Sequence, residues 1–152
     1  MPNSGTITIN RKAGAVYDLI RGIEVPFTTN GDQTTIPVKF ETCDGRALLI
    51  LPEKVGKIDF QMPPVLEKGK GFTLTAQLYG VSGKLIPSVH PMKITVKSAD
   101  GAETDESGYA VFANGKFSRQ ISIPKNAATG TWSITIREAA AGKIVTRNFT
   151  VK

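Results

Sequence analysis

The amino-acid sequence predicts an all-β protein with antiparallel strands, and three observations support this fold class. Apolar and polar residues alternate with a period of two along most of the chain, which is the pattern of half-buried strands. No stretch shows the i, i+3, i+4, i+7 apolar spacing of an amphipathic helix. Turn-forming pairs, such as Asp44–Gly45 and Asn114–Gly115, separate the alternating stretches.

The first part of the chain is predicted to form a small antiparallel β unit. The stretch "AVYDLIRGIEVPF" predicts a hairpin that turns at Arg21–Gly22. The next strand, "TTIPVKFE", contains Pro37, which indicates an edge strand or a bulge. The unbroken apolar run in "DGRALLILP" predicts a strand that is covered on both faces.

A domain boundary is predicted near the polar segment "EKVGK", which divides the chain into units of residues 1–53 and 54–152. The first unit, with about fifty residues, buries only a small fraction of its surface on its own. We therefore expect it to depend for stability on the second unit, or on a domain upstream in a longer parent protein. The second unit has a closed pattern of strands, and we expect it to fold alone.

The second unit is predicted to contain about seven strands with turns roughly every 8–12 residues, which is typical of an antiparallel sandwich. The stretch "YAVFANGKFSRQISIP" predicts a hairpin that turns at Asn114–Gly115 and has Tyr109 and Val111 on its inward face. Trp132 lies in phase with the apolar residues that follow it, so we expect its ring in the core. The segment "EAAAG" consists largely of helix formers but is too short to hold a helix, so we predict a hairpin loop.

Residues 57–152 resemble bacterial Ig-like and macroglobulin-type β-sandwich domains. The resemblance is carried by "KGKGFTLTAQLYGVSGKLIPSVHPMKITVKSADG", by "GYAVFANGKFSRQISIPKNAATGTWSITIRE" and by the closing "FTV". The second stretch contains the run G-x-F-x-x-x-I-x-I-P-x-x-x-x-x-G-x-W of that family, which ends at Gly130–Trp132. The resemblance implies an Ig-like Greek-key sandwich, a fold that specifies little about function.

Residues 6–52 look like the tail of a β-sandwich that follows the catalytic barrel in some bacterial glycoside hydrolases. The matching positions are Val16–Leu19, Gly22, Glu24, Val25, Ile36–Val38 and Asp44–Leu49. This resemblance implies that the chain is a C-terminal piece of a larger protein that is exported to the periplasm or the cell exterior. None of the catalytic residues of such a barrel has a counterpart in the chain.

The charge pattern argues against a nucleic-acid partner. The formal net charge is +6, but the lysines and arginines are scattered, and there is no helix-turn-helix or RNA-binding motif with interleaved aromatic residues. No apolar run approaches the roughly 20 residues that a membrane-spanning helix needs. The first twelve residues do not have the pattern of a signal peptide, so we expect any export signal to lie outside this chain.

His90 and Cys43, the single histidine and the single cysteine, are the candidates for a metal ligand, a general base or a nucleophile. A metal site would need two or three further His or Cys residues, and a nucleophilic thiol would need a base. We therefore expect His90 to be a strand-entry residue that packs beside Pro91, and Cys43 to be a half-buried residue before a turn. We expect no cofactor and no catalysis by this chain.

Four carboxylates lie close together in the stretch "DGAETDE", and oxygen ligands of this kind can hold calcium. They are Asp100, Glu103, Asp105 and Glu106. Their spacing is not that of an EF-hand, and the alternative is a solvated loop. A glycosidase needs two facing carboxylates, but alternation predicts that the strand acids Asp18 and Glu24 point outward, and Asp59 is expected to be a surface charge.

Tyr79 and Phe112 are out of phase with the inward-facing aromatic residues, so they are the candidates for an exposed platform that binds a sugar ring. Two such residues are also an ordinary number for a protein surface. The sequence as a whole predicts a non-catalytic structural or accessory module of a larger, glycoside hydrolase-like bacterial protein, whose other domains are its partners. The alternatives are a carbohydrate-binding module and an Ig-like segment of a surface adhesin or stalk.

Overall fold

The computed structural model describes residues 3–152, which contain fourteen β-strands and no helix. Within this range no helix is long and apolar enough to cross a membrane. The chain divides into two compact units, one ending at Lys54 and the other spanning Val55–Lys152. The predicted all-β fold class is confirmed.

The unit that ends at Lys54 consists of two small antiparallel sheets. Its strands are β1 (Asn3–Ile9), β2 (Ala15–Asp18), β3 (Ile23–Glu24), β4 (Thr28–Asn30), β5 (Gln33–Phe40) and β6 (Leu48–Leu51). One sheet has the order β1-β5-β4 and the other β3-β2-β6. The core consists of Ala13, Val16, Val25, Ile36 and Val38, with Phe27, Phe40, Leu48 and Ile50 packed against them.

Two sequence features of this unit have a local explanation. Because β4 pairs with β5 only as far as Thr35, Pro37 lies where β1 is the single neighbour of β5. Its missing N–H therefore costs no ladder hydrogen bond. In β6, Leu51 is fully buried but residues 48–50 are half-buried, so this strand is less completely covered than its apolar run predicts.

The unit Val55–Lys152 is a two-layered sandwich. Its strands are β7 (Val55–Gln61), β8 (Val65–Leu66), β9 (Gly71–Gly80), β10 (Val89–Lys97), β11 (Gly108–Ala113), β12 (Lys116–Ser122), β13 (Gly130–Glu138) and β14 (Ile144–Val151). Hydrogen bonding links them in the order β7-β9-β12-β11-β10-β13-β14-β8. The pairs are antiparallel except that of β14 with β8.

The hydrogen-bonded order folds into two layers at the Asn114–Gly115 turn. There β11 and β12 pair at a single position, Ala113 with Lys116, before they diverge. The ring of Phe72 on β9 packs edge-on against Phe149 on β14, with 6.2 Å between the ring centres. The β7-β9-β12 layer therefore faces the β11-β10-β13-β14-β8 layer across an apolar core.

The first strand of this sandwich changes layers midway. β7 pairs with β9, whereas β8, three residues later, pairs in parallel with β14. Pro63 and Pro64 lie between them, and neither can donate a ladder hydrogen bond. The two prolines therefore end β7 and let the chain cross to the opposite layer.

Trp132 lies in the core, as its phase predicts. Its side chain is 3% exposed, its ring centre is 6.1 Å from that of Phe149, and its indole N–H donates to the carbonyl of Ala128. A buried tryptophan normally needs such a partner for its N–H. The prediction that it packs in the core is confirmed.

The predicted orientation of β11 is wrong. Tyr109 is 86% exposed and Val111 is 48% exposed, whereas Phe112 is completely buried and meets Phe117 edge-on. Because a strand alternates with a period of two, a choice of the wrong face inverts every residue in it. The strand has apolar residues in both phases, so its sequence does not decide which face is buried.

Candidate functional site

A histidine and a glutamate form a fully buried pair in the second unit. His90 lies near the start of β10, and Glu138 ends β13, which is the neighbouring strand. Neither residue is exposed, and His90 Nε2 is 2.7 Å from Glu138 Oε2. The imidazole N–H therefore donates a short, charge-assisted hydrogen bond to the carboxylate.

The Glu138 carboxylate also organises the loop between β13 and β14. Its Oε2 accepts hydrogen bonds from the backbone N–H groups of Ala140, at 2.8 Å, and Ala141, at 3.1 Å. Its Oε1 accepts the N–H of Lys143 at 2.7 Å. This is why a segment of helix formers adopts a tight loop: its amide donors bind a side chain instead of the carbonyls of a helical turn.

Two opposing effects act on the pKa of Glu138. Burial is the larger single effect and raises it, because the charged form is less favourable away from water. The hydrogen bonds from His90, Lys143, Ala140 and Ala141 together outweigh burial and hold the pKa below its usual value. The carboxylate is therefore ionised at neutral pH.

The geometry of this pair does not suit catalysis or metal binding. A general base must come within hydrogen-bonding distance of its substrate, and both side chains are closed off from solvent. His90 Nδ1 is buried and has no hydrogen-bond partner within residues 3–152. No group of three or more His, Cys, Asp or Glu side chains in that range could hold a metal ion.

Sequence analysis identified His90 but missed Glu138. The signal was present, because Glu138 lies in the same phase as the buried residues Trp132, Ile134 and Ile136. An acidic residue in an inward phase is expected to have a partner, and the single histidine was available. Cys43 is exposed, not half-buried as predicted, and lies in a turn with φ of 60°.

The four carboxylates proposed as calcium ligands bind separate protein groups. Asp100 accepts hydrogen bonds from the Ser98 hydroxyl and the Ala102 N–H, which lower its pKa. The Glu103 carboxylate lies 3.6 Å from the ammonium group of Lys93.

Glu106 turns instead toward strand β12. Its carboxylate accepts the N–H of Ser122 and pairs with Arg119 at 3.9 Å, and Asp105 is exposed. The structure therefore does not bring the four together into one cluster.

The prediction that Asp18 points outward is wrong. Asp18 is completely buried, and its Oδ2 lies 2.6 Å from a guanidinium nitrogen of Arg46. Every residue of β2 is buried, so alternation does not give this strand a solvent face. Glu24 pairs with Lys54 at 2.7 Å and Asp59 with Arg147 at 3.0 Å, and these two pairs are exposed.

A shallow groove of about 580 Å³ crosses the β7-β9-β12 layer. Its polar lining residues are Asp59, Gln61, Thr75, Gln77, Lys116 and Ser118. Tyr79 lies next to them, since its hydroxyl donates to Gln77 at 2.7 Å and the Lys57 ammonium lies 5.2 Å from its ring centre. Phe112 was predicted to be the second exposed ring, but it is completely buried. Phe112 is therefore not available as a second platform, and the aromatic residues that line the groove are Phe60 and Phe117.

No protein-family model matches the sequence, and no curated protein matches it. Among solved structures, the trypsin-activated α2-macroglobulin of Escherichia coli is similar over 93% of this chain and 11% of its own, with 18% identity and a TM-score of 0.55. A Salmonella α2-macroglobulin mutant is similar over 99% of this chain and 12% of its own, with 14% identity and a TM-score of 0.55.

These similarities establish the fold. The strand arrangement is that of an Ig-like β-sandwich, as the resemblance of residues 57–152 implies. The chain spans only about a tenth of the length of the macroglobulins it matches. At this identity the similarity defines the architecture and leaves the activity open.

Proposed function

We propose that this chain is a non-catalytic structural module of a larger exported protein, which packs against neighbouring domains and sets their spacing. The proposal rests on one observation, namely that the buried ionisable side chains are bound to groups of the protein itself. Asp18, His90 and Glu138 all lie in the interior, and each binds protein groups that hold a turn or a strand. A catalytic carboxylate or imidazole would instead be expected in a cleft that a substrate can enter.

The parent protein has two candidate classes. A macroglobulin-like parent is supported by the structural similarity over nearly the whole chain. A glycoside hydrolase-like parent is supported by the sequence resemblance of residues 6–52. In either case we place the protein in the periplasm or outside the cell. The gene sequence upstream of Met1 distinguishes the two, because only the second class predicts a barrel with paired carboxylates.

The lack of catalysis is tested with a broad panel of nitrophenyl glycosides and esters. We expect no turnover above that of buffer. Reproducible activity that disappears when one residue of this chain is replaced would contradict the proposal.

Carbohydrate binding is the second candidate function, because of the groove beside Tyr79, which is lined by both polar and apolar side chains. Titration calorimetry with a panel of oligosaccharides tests it, with Tyr79→Ala as the variant and the distant, exposed Tyr109→Ala as its matched control. Binding that is lost only in Tyr79→Ala would support a carbohydrate-binding module. An Ig-like stalk of an adhesin would instead be indicated by tandem copies of the second unit in the parent gene.

A further inference from the structure

We propose that two copies of this chain pair through the free edge of β11, as antiparallel strands related by a two-fold axis at Ala110. This self-association is separate from the spacing role and from the lack of catalysis. Three features of β11 support it: a free stretch of backbone that is complementary to itself, side chains that suit the resulting pairs, and opposite charges at the two ends of the strand.

The backbone of β11 has unused hydrogen-bonding groups along one edge. The N–H of Asn114 donates to the carbonyl of Ser88 on the β10 side, and hydrogen-bonded positions alternate along an antiparallel pair. The N–H and C=O groups of Tyr109 and Val111 therefore point away from β10. Within the described part of the chain, β11 pairs on that outer edge with β12 at Ala113 alone.

The free stretch matches itself when two copies run antiparallel. It extends from Gly108, where β11 begins, to Phe112, because β12 occupies the edge from Ala113 onward. Ala110 is its midpoint, so a two-fold axis at that residue aligns the two free stretches over their whole length. Any other register leaves part of the stretch unpaired or brings it against β12.

The side chains along the free stretch suit this register. Tyr109 of one copy faces Val111 of the other in a hydrogen-bonded pair, in which both N–H···O bonds are exchanged. These side chains are 86% and 48% exposed and lie on the same face of β11, so the contact covers apolar surface. An aromatic ring opposite a β-branched side chain is a favourable cross-strand pair. At the axis the two small Ala110 side chains permit the close approach of a non-hydrogen-bonded pair.

The two ends of β11 carry opposite charge. The loop before the strand contains the four carboxylates of residues 100–106, which are more than half of the acidic residues in the second unit. After the strand, Lys116 begins β12. Pairing about the Ala110 axis brings the exposed Asp105 of one copy close to the exposed Lys116 of the other. A parallel arrangement would place like charges together, which disfavours it.

The contact is expected to be weak. Residues 1–54 contain equal numbers of basic and acidic side chains, so the whole net charge of +6 lies in residues 55–152 and opposes self-association. The contact is also small, since it involves a short stretch of one strand from each copy. Stable interfaces usually bury about 1,200–2,000 Å² in total, so we expect a dissociation constant on the order of 100 µM.

Sedimentation velocity of the full chain measures the association, from about 10 µM to about 1 mM protein in about 150 mM salt. We expect mostly monomer at the lowest concentration and mostly dimer at the highest. Val111→Pro removes an outward N–H without loss of a bond to β10, and the axis doubles the effect. We expect it to raise the dissociation constant at least about tenfold. The matched control is Val81→Ser, an exposed apolar position outside β11, which should leave the constant unchanged.

A cysteine scan tests the register, in a Cys43→Ser background that removes the native thiol. The axis brings the two Cα atoms of residue 110 to about 4.5 Å, which a disulfide can span. Residue 109 is a diagonal neighbour of its own copy, about 7–8 Å away, so Ala110→Cys should cross-link at least about tenfold faster than Tyr109→Cys under mild oxidation. Val81→Cys is the control for random collision and should resemble Tyr109→Cys.

A chain that stays monomeric at about 1 mM would overturn the proposal and leave the edge to a different chain or to solvent. So would association that Val111→Pro does not weaken, or cross-linking that is equally fast at positions 81, 109 and 110. If Val111→Pro does not fold, the cysteine scan decides the question alone. None of these results affects the proposed lack of catalysis, because that is measured by turnover.

Discussion

Replacing Glu138 with alanine tests whether the buried carboxylate holds the second unit together. The substitution removes the acceptor of four donors: His90 Nε2 and the N–H groups of Ala140, Ala141 and Lys143. These donors differ in what they can do afterwards. Lys143 is exposed and Ala141 is half-buried, so their N–H groups can bind water, whereas His90 and Ala140 are completely buried.

The cost is therefore concentrated on two donors that lose their partner without access to solvent. Each unsatisfied buried donor costs about 1–3 kcal/mol, and more if it is charged. Two such donors are left here, the imidazole N–H of His90 and the backbone N–H of Ala140. We expect a loss of about 3–5 kcal/mol in the free energy of unfolding, which is a large part of the roughly 5–15 kcal/mol available to a domain.

Urea denaturation followed by tryptophan fluorescence measures this loss. Trp132 is the single tryptophan and lies in the core of the same unit, so the signal reports on that unit alone. Glu103→Ala is the matched control, because it removes a carboxylate from an exposed pair, where we expect a change below about 1 kcal/mol. A loss below about 1 kcal/mol for Glu138→Ala would refute the view that the pair is a structural cross-link.

Three further predictions concern the same sandwich and its boundary. Trp132→Ala is expected to cost about 3–5 kcal/mol in chemical denaturation, and a loss well below about 1 kcal/mol would contradict its burial. Because the folded-state pKa of Glu138 lies below its usual value, its contribution to stability is present above the unfolded-state pKa of about 4.5 and is lost as the pH falls through the folded-state value. As the pH falls from 6 to 3, the free energy of unfolding of the unaltered protein should therefore decrease more steeply than that of Glu138→Gln. Equal slopes would contradict this. Residues 54–152 expressed alone should give a dispersed amide spectrum and residues 1–53 a poorly dispersed one; an unfolded second piece or a well-folded first piece would show that the predicted dependence is wrong.

Sequence periodicity predicts the strands well and their faces less well. The hairpin at Asn114–Gly115 and the inward phase of Trp132 follow from turn chemistry and from a clear alternation of apolar and polar residues. The orientation of β11 does not follow from its sequence, because Tyr109 and Val111 are apolar in one phase and Phe112 is apolar in the other. Phe112 is the buried one, and its ring packs edge-on against Phe117 of the opposite layer.

The partners of the ionisable side chains were also not predicted from the sequence, because pairing depends on contacts between distant parts of the chain. His90 and Glu138 are 48 residues apart, and Asp18 and Arg46 are 28 residues apart. Local alternation carries no information about such partners. It can still indicate that a partner exists, because a carboxylate among inward-facing apolar residues needs hydrogen-bond donors or a positive charge beside it.

The two buried acids share one local arrangement, although they lie in different units. Each is the last residue of a strand, and one oxygen accepts the N–H groups two and three residues later: Ile20 and Arg21 for Asp18, and Ala140 and Ala141 for Glu138. Each carboxylate also binds a side chain from a distant part of the chain: Asp18 binds Arg46, and Glu138 binds His90.

This repetition bears on function. A buried carboxylate beside a histidine or an arginine resembles catalytic machinery when the side chains are considered alone. In both units, however, the amides of the following turn occupy the carboxylate, so a substrate proton would have to displace backbone hydrogen bonds to reach it. We therefore expect Asp18→Asn, like Glu138→Gln, to lower thermal stability through loss of the turn. A substitution at either position that left the unfolding midpoint unchanged but altered a binding or turnover signal would contradict this structural role.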